Sequence, residues 1–539
     1  MDIKKIIFKF ALQNAVKYEK ADFKAVVGKV FAEVKDVKDK KALFKEVKEI
    51  IEEVNSMKMG ERISKLMEID PTLIEDKPKE EKKELPELEN VKKEAIMRFA
   101  PNPNGAMSLG HSRQAILNWL YCQKYNGKYL LRFDDTDPKV KIPEKDAYKW
   151  FEDDFKWLGI KPWKTVKQSS RLNIYYKYAW ELFKMKKMYI CKCEPEKKSK
   201  LLQRGEKCGC EENYNWDGFF DMKEGEAVAR VKTDLKNKNP AVRDWPAFRI
   251  AEKSKHPLDN KTRVWPLLNF ASAIDDHEFG ITHIIRGIDL SVSDDRQKYL
   301  FDYFKWKYPE TIYTGKLYVK GVKSTSETKK LIKEGKLEGW DDIRTGTIMS
   351  LRKRGFQAEA ITNFIKDLGV NRNNIDVDMD NLYAYNRRIV EKCNRYYFVE
   401  EPKKIKIKNA PKLTVKVHLH PDDEKRGFRE FKTGDEFYVQ DKLEKGRVYR
   451  FMHLFNFMDG KFLSKEMDEK LNAKLIHWLP VGKNLVDVEI KMDDNKIKKG
   501  LGEEGIKKLK INEVIQCERN FFCCLQEKNN KFVFWFTHR

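Results

Sequence analysis

The run "AIMRFAPNPNGAMSLGHSRQAILNWLYCQKYNGKYLLRFDDTD", residues 95–137, most restricts what this chain can fold into. Ala95 to Ala100 are mostly apolar and read as a strand, residues 111–125 as a helix, and residues 129–137 as the next strand. Strand, helix and strand within about 40 residues form a βαβ unit, whose crossover sets the second strand parallel to the first. The turn between strand and helix holds two prolines, Gly105 and a Gly110-His111 pair. A tight packing turn explains the prolines. A glycine at the first helical turn also lets a ligand approach unpaired N–H groups and the positive end of the helix dipole, a natural seat for phosphate. At this point both explanations stand.

At 539 residues the chain exceeds a single core, and several domains are expected. Lys and Arg outnumber Asp and Glu by 109 to 85, giving +24. Residues 1–90 hold 20 basic and 20 acidic side chains, so the surplus lies in 91–539. A basic body suits a polyanionic partner, because cations that neutralise phosphates release counterions. A lysine-rich surface serving only solubility is the plainer alternative. No run of about 18 apolar residues appears, so no membrane span is expected. The lysine-broken start "MDIKKIIFKFAL" has no signal-peptide pattern, and a cytoplasmic protein is expected.

Residues 1–75 read as a helical extension, with Leu43, Val47, Ile50, Ile51 and Val54 at helical spacing. Residues 76–94, rich in Pro, Glu and Lys, have a linker composition. A second α/β stretch follows later, with "GITHIIRGIDL" as strand and "DDRQKYLFDYFKW" as helix. The α/β core is therefore placed at 95–190 and 263–344, interrupted by an insertion at 191–262. Residues 345–401 read as a helical connection, and 402–539 as short strands with Gly and Asp-Gly turns, the pattern of barrels or sandwiches.

Cys191, Cys193, Cys208 and Cys210 form a C-x-C-x14-C-x-C pattern inside the insertion. Four thiolates close a tetrahedral zinc site with no open position, so a structural zinc knuckle is expected; in an oxidising compartment the same spacing would serve disulfides. The other five cysteines read as ordinary thiols. The "DDH" run at Asp275 to His277, with His283 nearby, fits either a metal cluster or a structural role, and the structural role is favoured.

"PNPNGAMSLGHSR" followed by "LRFDDTDP" resembles the catalytic core of class I aminoacyl-tRNA synthetases, in the glutamyl/glutaminyl branch. With "VKTDLKNKNPAVRDWPAFRI", "RVWPLLNFASAIDDHEFGITHIIRG", "YPETIYTGKLYVKG", "GWDDIRTGTIMSLRKRG" and "FVFWFTHR", the chain resembles archaeal-type glutamyl-tRNA synthetases over nearly its whole length. The resemblance implies an α/β fold with a Rossmann-type class I catalytic domain, an inserted acceptor-end-binding domain, an N-terminal helical extension and C-terminal β-barrel anticodon-binding domains. It implies ATP-dependent activation of glutamate, with Mg²⁺ on the phosphates, and transfer to tRNA(Glu). The partners implied are tRNA(Glu) and glutamate, with no membrane; a monomer is expected, and charging of tRNA(Gln) stays open.

The HIGH signature of the family falls on Ser108, Leu109, Gly110 and His111. The mobile KMSKS signature falls on Lys323, Ser324, Thr325 and Ser326. The resemblance makes Gly110, His111, Lys323, Ser324 and Ser326 catalytic and gives ATP to Ser108, Leu109, Gly110, His111, Lys323 and Ser324. Ser108 replaces the usual first histidine, and Thr325 stands where the transition-state lysine usually sits. Losing such a donor costs on the order of 10²- to 10³-fold in rate, unless Lys323 or Lys329 substitutes.

The amino-acid pocket implied by the resemblance comprises Arg98, Asn102, Asp134, Ser272 and Arg286. Arginine forks suit the substrate carboxylates, and Asp134 suits the α-ammonium. Arg286 closes an apolar strand, where open α/β sheets bind ligands, and a buried guanidinium favours glutamate over a neutral amide. Leu268 departs from the family tyrosine. Two alternatives remain: a glutaminyl-tRNA synthetase, and a catalytically weak tRNA-binding paralogue. For the N-terminal helices, partner docking and a solvated accessory role stay equally open.

Overall fold

The computed structural model describes residues 3–18, 20–34, 39–57, 59–69 and 84–539. It divides into two compact units, Met1–Glu84 and Leu85–Arg539, each with its own core. Residues 76–83 of the expected linker lie outside the described residues.

The first unit holds helices Ile3–Tyr18, Phe23–Glu33, Lys40–Ser56 and Met59–Ile69. Asp22 caps the second by accepting from the Ala25 N–H, and Asp39 caps the third through Lys41 and Ala42. The stripe Leu43, Val47, Ile50, Ile51 and Val54 is buried against Ile7, Leu12, Val26 and Val30.

In the second unit, strand Ile96–Phe99 pairs in parallel with Lys128–Phe133, which pairs in parallel with Lys164–Lys167. Helix Leu109–Lys124 supplies the crossover. Strands His283–Gly287 and Glu310–Thr314 form a second parallel pair. The two pairs meet where the Thr282 N–H donates to the Ile96 carbonyl (2.9 Å) and Thr282 Oγ1 accepts from the Ile96 N–H (2.9 Å). The C-terminal ends of Ile96–Phe99, Lys128–Phe133 and His283–Gly287 therefore open on one side, where α/β sheets bind ligands. Buried Arg113 ties the crossover helix down by donating to the Gly315 and Gly369 carbonyls, both at 2.9 Å. Gly369, with φ +57°, ends helix Ala358–Leu368 as its cap.

Between the halves runs an antiparallel sheet of Met188–Cys191, Val228–Val231, Pro246–Ile250 and Val264–Pro266. It extends to either side of residues 191–262. Helices Ile348–Lys353, Ala358–Leu368 and Met379–Val390 follow. A seven-stranded sheet then begins at Arg395–Tyr396 and ends at Phe398–Glu400, with the strands between them drawn from 486–538. Its two outer strands are separated in sequence by Tyr397 alone, so the sheet curls round on itself. A second all-β core packs around Phe437, Phe451 and Trp478. Among the described residues, no helix is long and apolar enough to cross a membrane.

Candidate active site and cysteine knuckle

Ser108 is the N-cap of the crossover helix: its Oγ accepts from the His111 N–H at 3.2 Å. The Leu109 N–H donates to the Gly346 carbonyl at 2.9 Å. A serine at this position thus builds the helix start. A Cβ on Gly105 would lie 2.4 Å from the Trp340 ring and 3.0 Å from the Thr325 methyl, so packing alone demands glycine there. At Gly110 nothing lies nearer than 3.7 Å. A Cβ there would make only ordinary contacts, with the Leu317 carbonyl and Ser108 Oγ, so protein packing does not require that glycine. His111 is exposed at the first turn of the helix, and desolvation by the nearby protein, with the Lys141 ammonium, holds its pKa below the ordinary value.

Facing the turn is the start of helix Thr325–Lys333, capped by Ser324, whose Oγ accepts from the Glu327 N–H at 3.2 Å. Lys323 points along the helix to Glu327 (3.1 Å), and Ser326 is exposed. From this helix, Lys329 reaches the Asn104 carbonyl at 3.1 Å and Glu144 at 2.8 Å.

At the strand ends, Arg98, Asp134, Ser272 and Arg286 are all buried in one neighbourhood. Arg98 Nε donates to Asp276 (3.2 Å), and Ser272 Oγ donates to Asp134 (2.9 Å). Arg132 joins them, reaching Asp134 and Asp276 at 2.7 Å each. Burial alone would raise the Asp276 pKa, but Arg98, Arg132 and Arg286 together bring it down. Arg98 itself is lowered by burial and by its two guanidinium neighbours, against the pull of Asp276. Arg286 pairs with Asp294, which also accepts from Tyr308 (2.9 Å) and Tyr313. The Arg286 Nε and the Asn102 Oδ1 are buried without a hydrogen-bond partner. Orphaned polar atoms of this kind are costly unless a ligand or water meets them. Asn102 otherwise donates to the Lys141 carbonyl at 3.3 Å, and Leu268 is exposed at the start of helix Leu268–Glu278.

The thiols of Cys191, Cys193, Cys208 and Cys210 lie within 4.8 Å of one another, the one such metal-capable cluster among the described residues. Zinc–sulfur bonds of about 2.3 Å in a tetrahedron need sulfurs about 3.8 Å apart; Cys193 and Cys210 are 3.7 Å apart. The Lys192 N–H donates to Cys210 (3.4 Å), and buried Lys198 donates to Cys208 (3.3 Å). Burial and the neighbouring Cys191 push the Cys193 thiol up to about 12. Cys208 moves down despite burial, through the Cys210 N–H and Lys198. The donor set fits zinc.

The model of the class I tRNA synthetases (E and Q), catalytic domain, matches residues 94–392, and that of the anti-codon binding domain of the same family matches 393–475. The chain belongs to the class I (E and Q) tRNA synthetases. It is 43% identical to the glutamate–tRNA ligase of Pyrococcus furiosus over 100% of both chains, and 41% identical to that of Methanocaldococcus jannaschii over 99% of both. A solved glutamate tRNA ligase from Elizabethkingia meningosepticum, in complex with its amino acid, aligns at 20% identity with a TM-score of 0.39, covering 56% of this chain and 70% of that one.

For this synthetase, sequence reasoning missed Arg132 and Asp294 beside the candidate pocket, and it named Asp276 only within the "DDH" run, as structural. The "DDH" run was the available signal, and the model resolves it. Asp275 pairs with Arg171 (2.9 Å) and Asp276 with the pocket arginines. His277 stacks on Trp306 at 3.6 Å, and His283 meets the Glu89 carbonyl at 2.7 Å. Arg132 is common to the two aspartates, but the histidines turn elsewhere, and the four form no metal-capable cluster among the described residues.

Proposed function

We propose that this synthetase is a glutamate–tRNA ligase: ATP and glutamate give glutamyl-adenylate and pyrophosphate, and the glutamyl group then passes to the terminal adenosine of tRNA(Glu). The observation that carries the specificity is Arg286, buried at a strand end with an orphaned Nε. Asp294 already balances its charge, so what the ligand supplies is a partner for the free Nε–H: a γ-carboxylate accepts it in a charge-assisted bond, whereas a glutamine amide oxygen accepts it more weakly. Full-length relatives at 41–43% identity that bear this name support the same reading.

In this proposal Arg98 and Arg286 take substrate carboxylates, and Asp134, oriented by Arg132 and Ser272, takes the α-ammonium. Asn102 meets the bound substrate through its unpartnered oxygen. The start of the crossover helix, at Gly110, seats the triphosphate, with His111 as a neutral hydrogen-bonding group. Mg²⁺ enters with ATP and neutralises phosphate charge. The carboxylate nucleophile is already ionised, so positioning and charge stabilisation carry the step, and no general base is needed. The four cysteines hold a structural zinc that stiffens the inserted domain against the tRNA acceptor end, and the C-terminal sheets take the anticodon.

Pyrophosphate exchange with glutamate or glutamine, each with and without tRNA, tests the reading. Glutamate-specific exchange that depends on tRNA is expected. Exchange with glutamine would transfer the assignment to the sister enzyme. Silence with both, while tRNA still binds, would leave a binding paralogue.

A further inference from the structure

We propose that Lys329 supplies the cation for the triphosphate that Thr325 cannot. The inference rests on the ATP-dependent reading above. A triphosphate seated at the crossover helix needs positive charge from the facing segment, where developing charge on pyrophosphate must be met. Thr325 brings a methyl group against Gly105 instead of an ammonium. Among the lysines of this segment whose contacts are known, Lys320 pairs with Asp378, Lys323 with Glu327 and Lys330 with Glu334. Lys329 points the other way, with its ammonium 3.1 Å from the Asn104 carbonyl in the nucleotide turn.

Residues 325 and 329 are one helical turn apart, so their side chains share a face of the helix. A lysine at 329 therefore projects over the same turn that a lysine at 325 would cover. Its present carboxylate partner is held in place: Glu144 donates its N–H to the Pro103 carbonyl (2.8 Å), and its Oε2 accepts from Trp340 Nε1 (2.9 Å). The Lys329–Glu144 pair is about a quarter exposed on each side, 28% and 27%. Such a pair is weak enough for a polyphosphate to displace. Glu144 thus parks the ammonium at the edge of the seat until nucleotide arrives.

In the activation step a glutamate α-carboxylate oxygen bonds to the α-phosphorus. The bond from that phosphorus to the bridging oxygen breaks, and its electron pair leaves with pyrophosphate. No proton moves. Lys329 contacts the oxygens on which this charge collects, so its loss acts on kcat more than on the KM for ATP.

The test is pyrophosphate exchange, with glutamate and tRNA, in full-length K329M, K329R, K330M and the double variant T325K/K329M. K329M is expected to lose on the order of 10²-fold in kcat, with K329R recovering at least a tenth of wild-type activity and K330M within twofold of it. The deciding variant is T325K/K329M, because restoring an ammonium on the same face recovers activity only if charge at the phosphates is what was lost. Rescue of at least tenfold over K329M supports the proposal; K329M within threefold of wild type, or an inactive K329M with no rescue, overturns it. An inactive wild type would instead refute the ligase reading.

Discussion

The strand-end pocket and the cysteine knuckle are both crowded with ionisable side chains, and they handle the crowding in opposite ways. In the pocket every buried charge has a counter-charge: Arg98, Arg132 and Arg171 meet Asp276, Asp134 and Asp275, and Arg286 meets Asp294. The pocket is held rigid before any substrate enters. In the knuckle four thiols face each other with one ammonium, Lys198, beside them. On the zinc proposal above the four are thiolates, which Lys198 alone does not balance, and the knuckle takes its remaining positive charge from the ion. The pocket's pairing is internal to the protein, whereas on that proposal the knuckle's order is conditional on an ion.

Removing a shared counter-charge from the pocket breaks this contrast most severely. Asp276→Ala leaves Arg98 and Arg132 buried and under-compensated, and breaking a buried pair costs roughly 3–5 kcal/mol. Denaturant unfolding is expected to register that loss, with exchange activity lost alongside it. Arg286→Gln is milder on the fold and acts on specificity. A charge-assisted hydrogen bond is worth about 1.5–3 kcal/mol, so kcat/KM for glutamate should fall roughly 10- to 100-fold. Glutamine should lose less, and an equal loss for the two amino acids would remove Arg286 from the substrate site.

The knuckle should answer to metal instead of charge pairing. Cys208→Ser removes one of four ligands together with the Lys198 contact. Elemental analysis of wild type should give zinc that the variant lacks, and the KM for tRNA should rise about tenfold, in the range of damaged metal sites. Exhaustive chelation of wild type should reproduce the tRNA effect. A wild-type chain without zinc and with an unaltered tRNA KM after chelation would make the knuckle self-sufficient and erase the contrast.

The two regions also differ in how far the sequence revealed them. The knuckle is local: its four cysteines fall within 20 residues, and their spacing singles them out as a cluster. The βαβ unit was legible for the same reason, since hydrophobic period and turn residues act over short range. Pocket residues are brought together by topology: Arg98 and Asp276 are 178 residues apart. Arg98 and Arg286 were legible through family resemblance. Arg132 and Asp294 were not, and Asp276 only as part of a run, because a charged residue in a strand or helix looks the same in sequence whether it faces water or a buried partner. Ser108 was read as a departure from a signature and as an ATP contact, and its capping bond to His111 appears once the helix start is built. A C-terminal barrel was expected, and the seven-stranded sheet curls accordingly; what the sequence hid is that residues 395–400, read as part of the helical connection, supply both outer strands by pairing with strands about 100 residues away.

Asp154 sharpens the comparison from a third position. It is fully buried like Asp276, yet neither of its oxygens has a hydrogen-bond partner, and Arg352 approaches only to 3.7 Å. Burial pushes its pKa from 3.8 to about 7, against the weak pull of Arg352. A carboxyl whose folded pKa is raised takes up a proton on folding. Its contribution to stability is therefore full below about pH 4, falls as pH rises towards 7, and stays low above that. Asp154→Asn removes this slope and leaves a neutral amide in the same unpartnered site, which has its own desolvation cost. The variant should gain about 1 kcal/mol over wild type at pH 8 and lose about as much at pH 5. Thermal melts at the two pH values give the check: a higher Tm for the variant at pH 8 but not at pH 5. A variant that melts below wild type at pH 8 would mean that Asp154 is paired in solution, and that carboxylates throughout this core are as well compensated as those of the pocket.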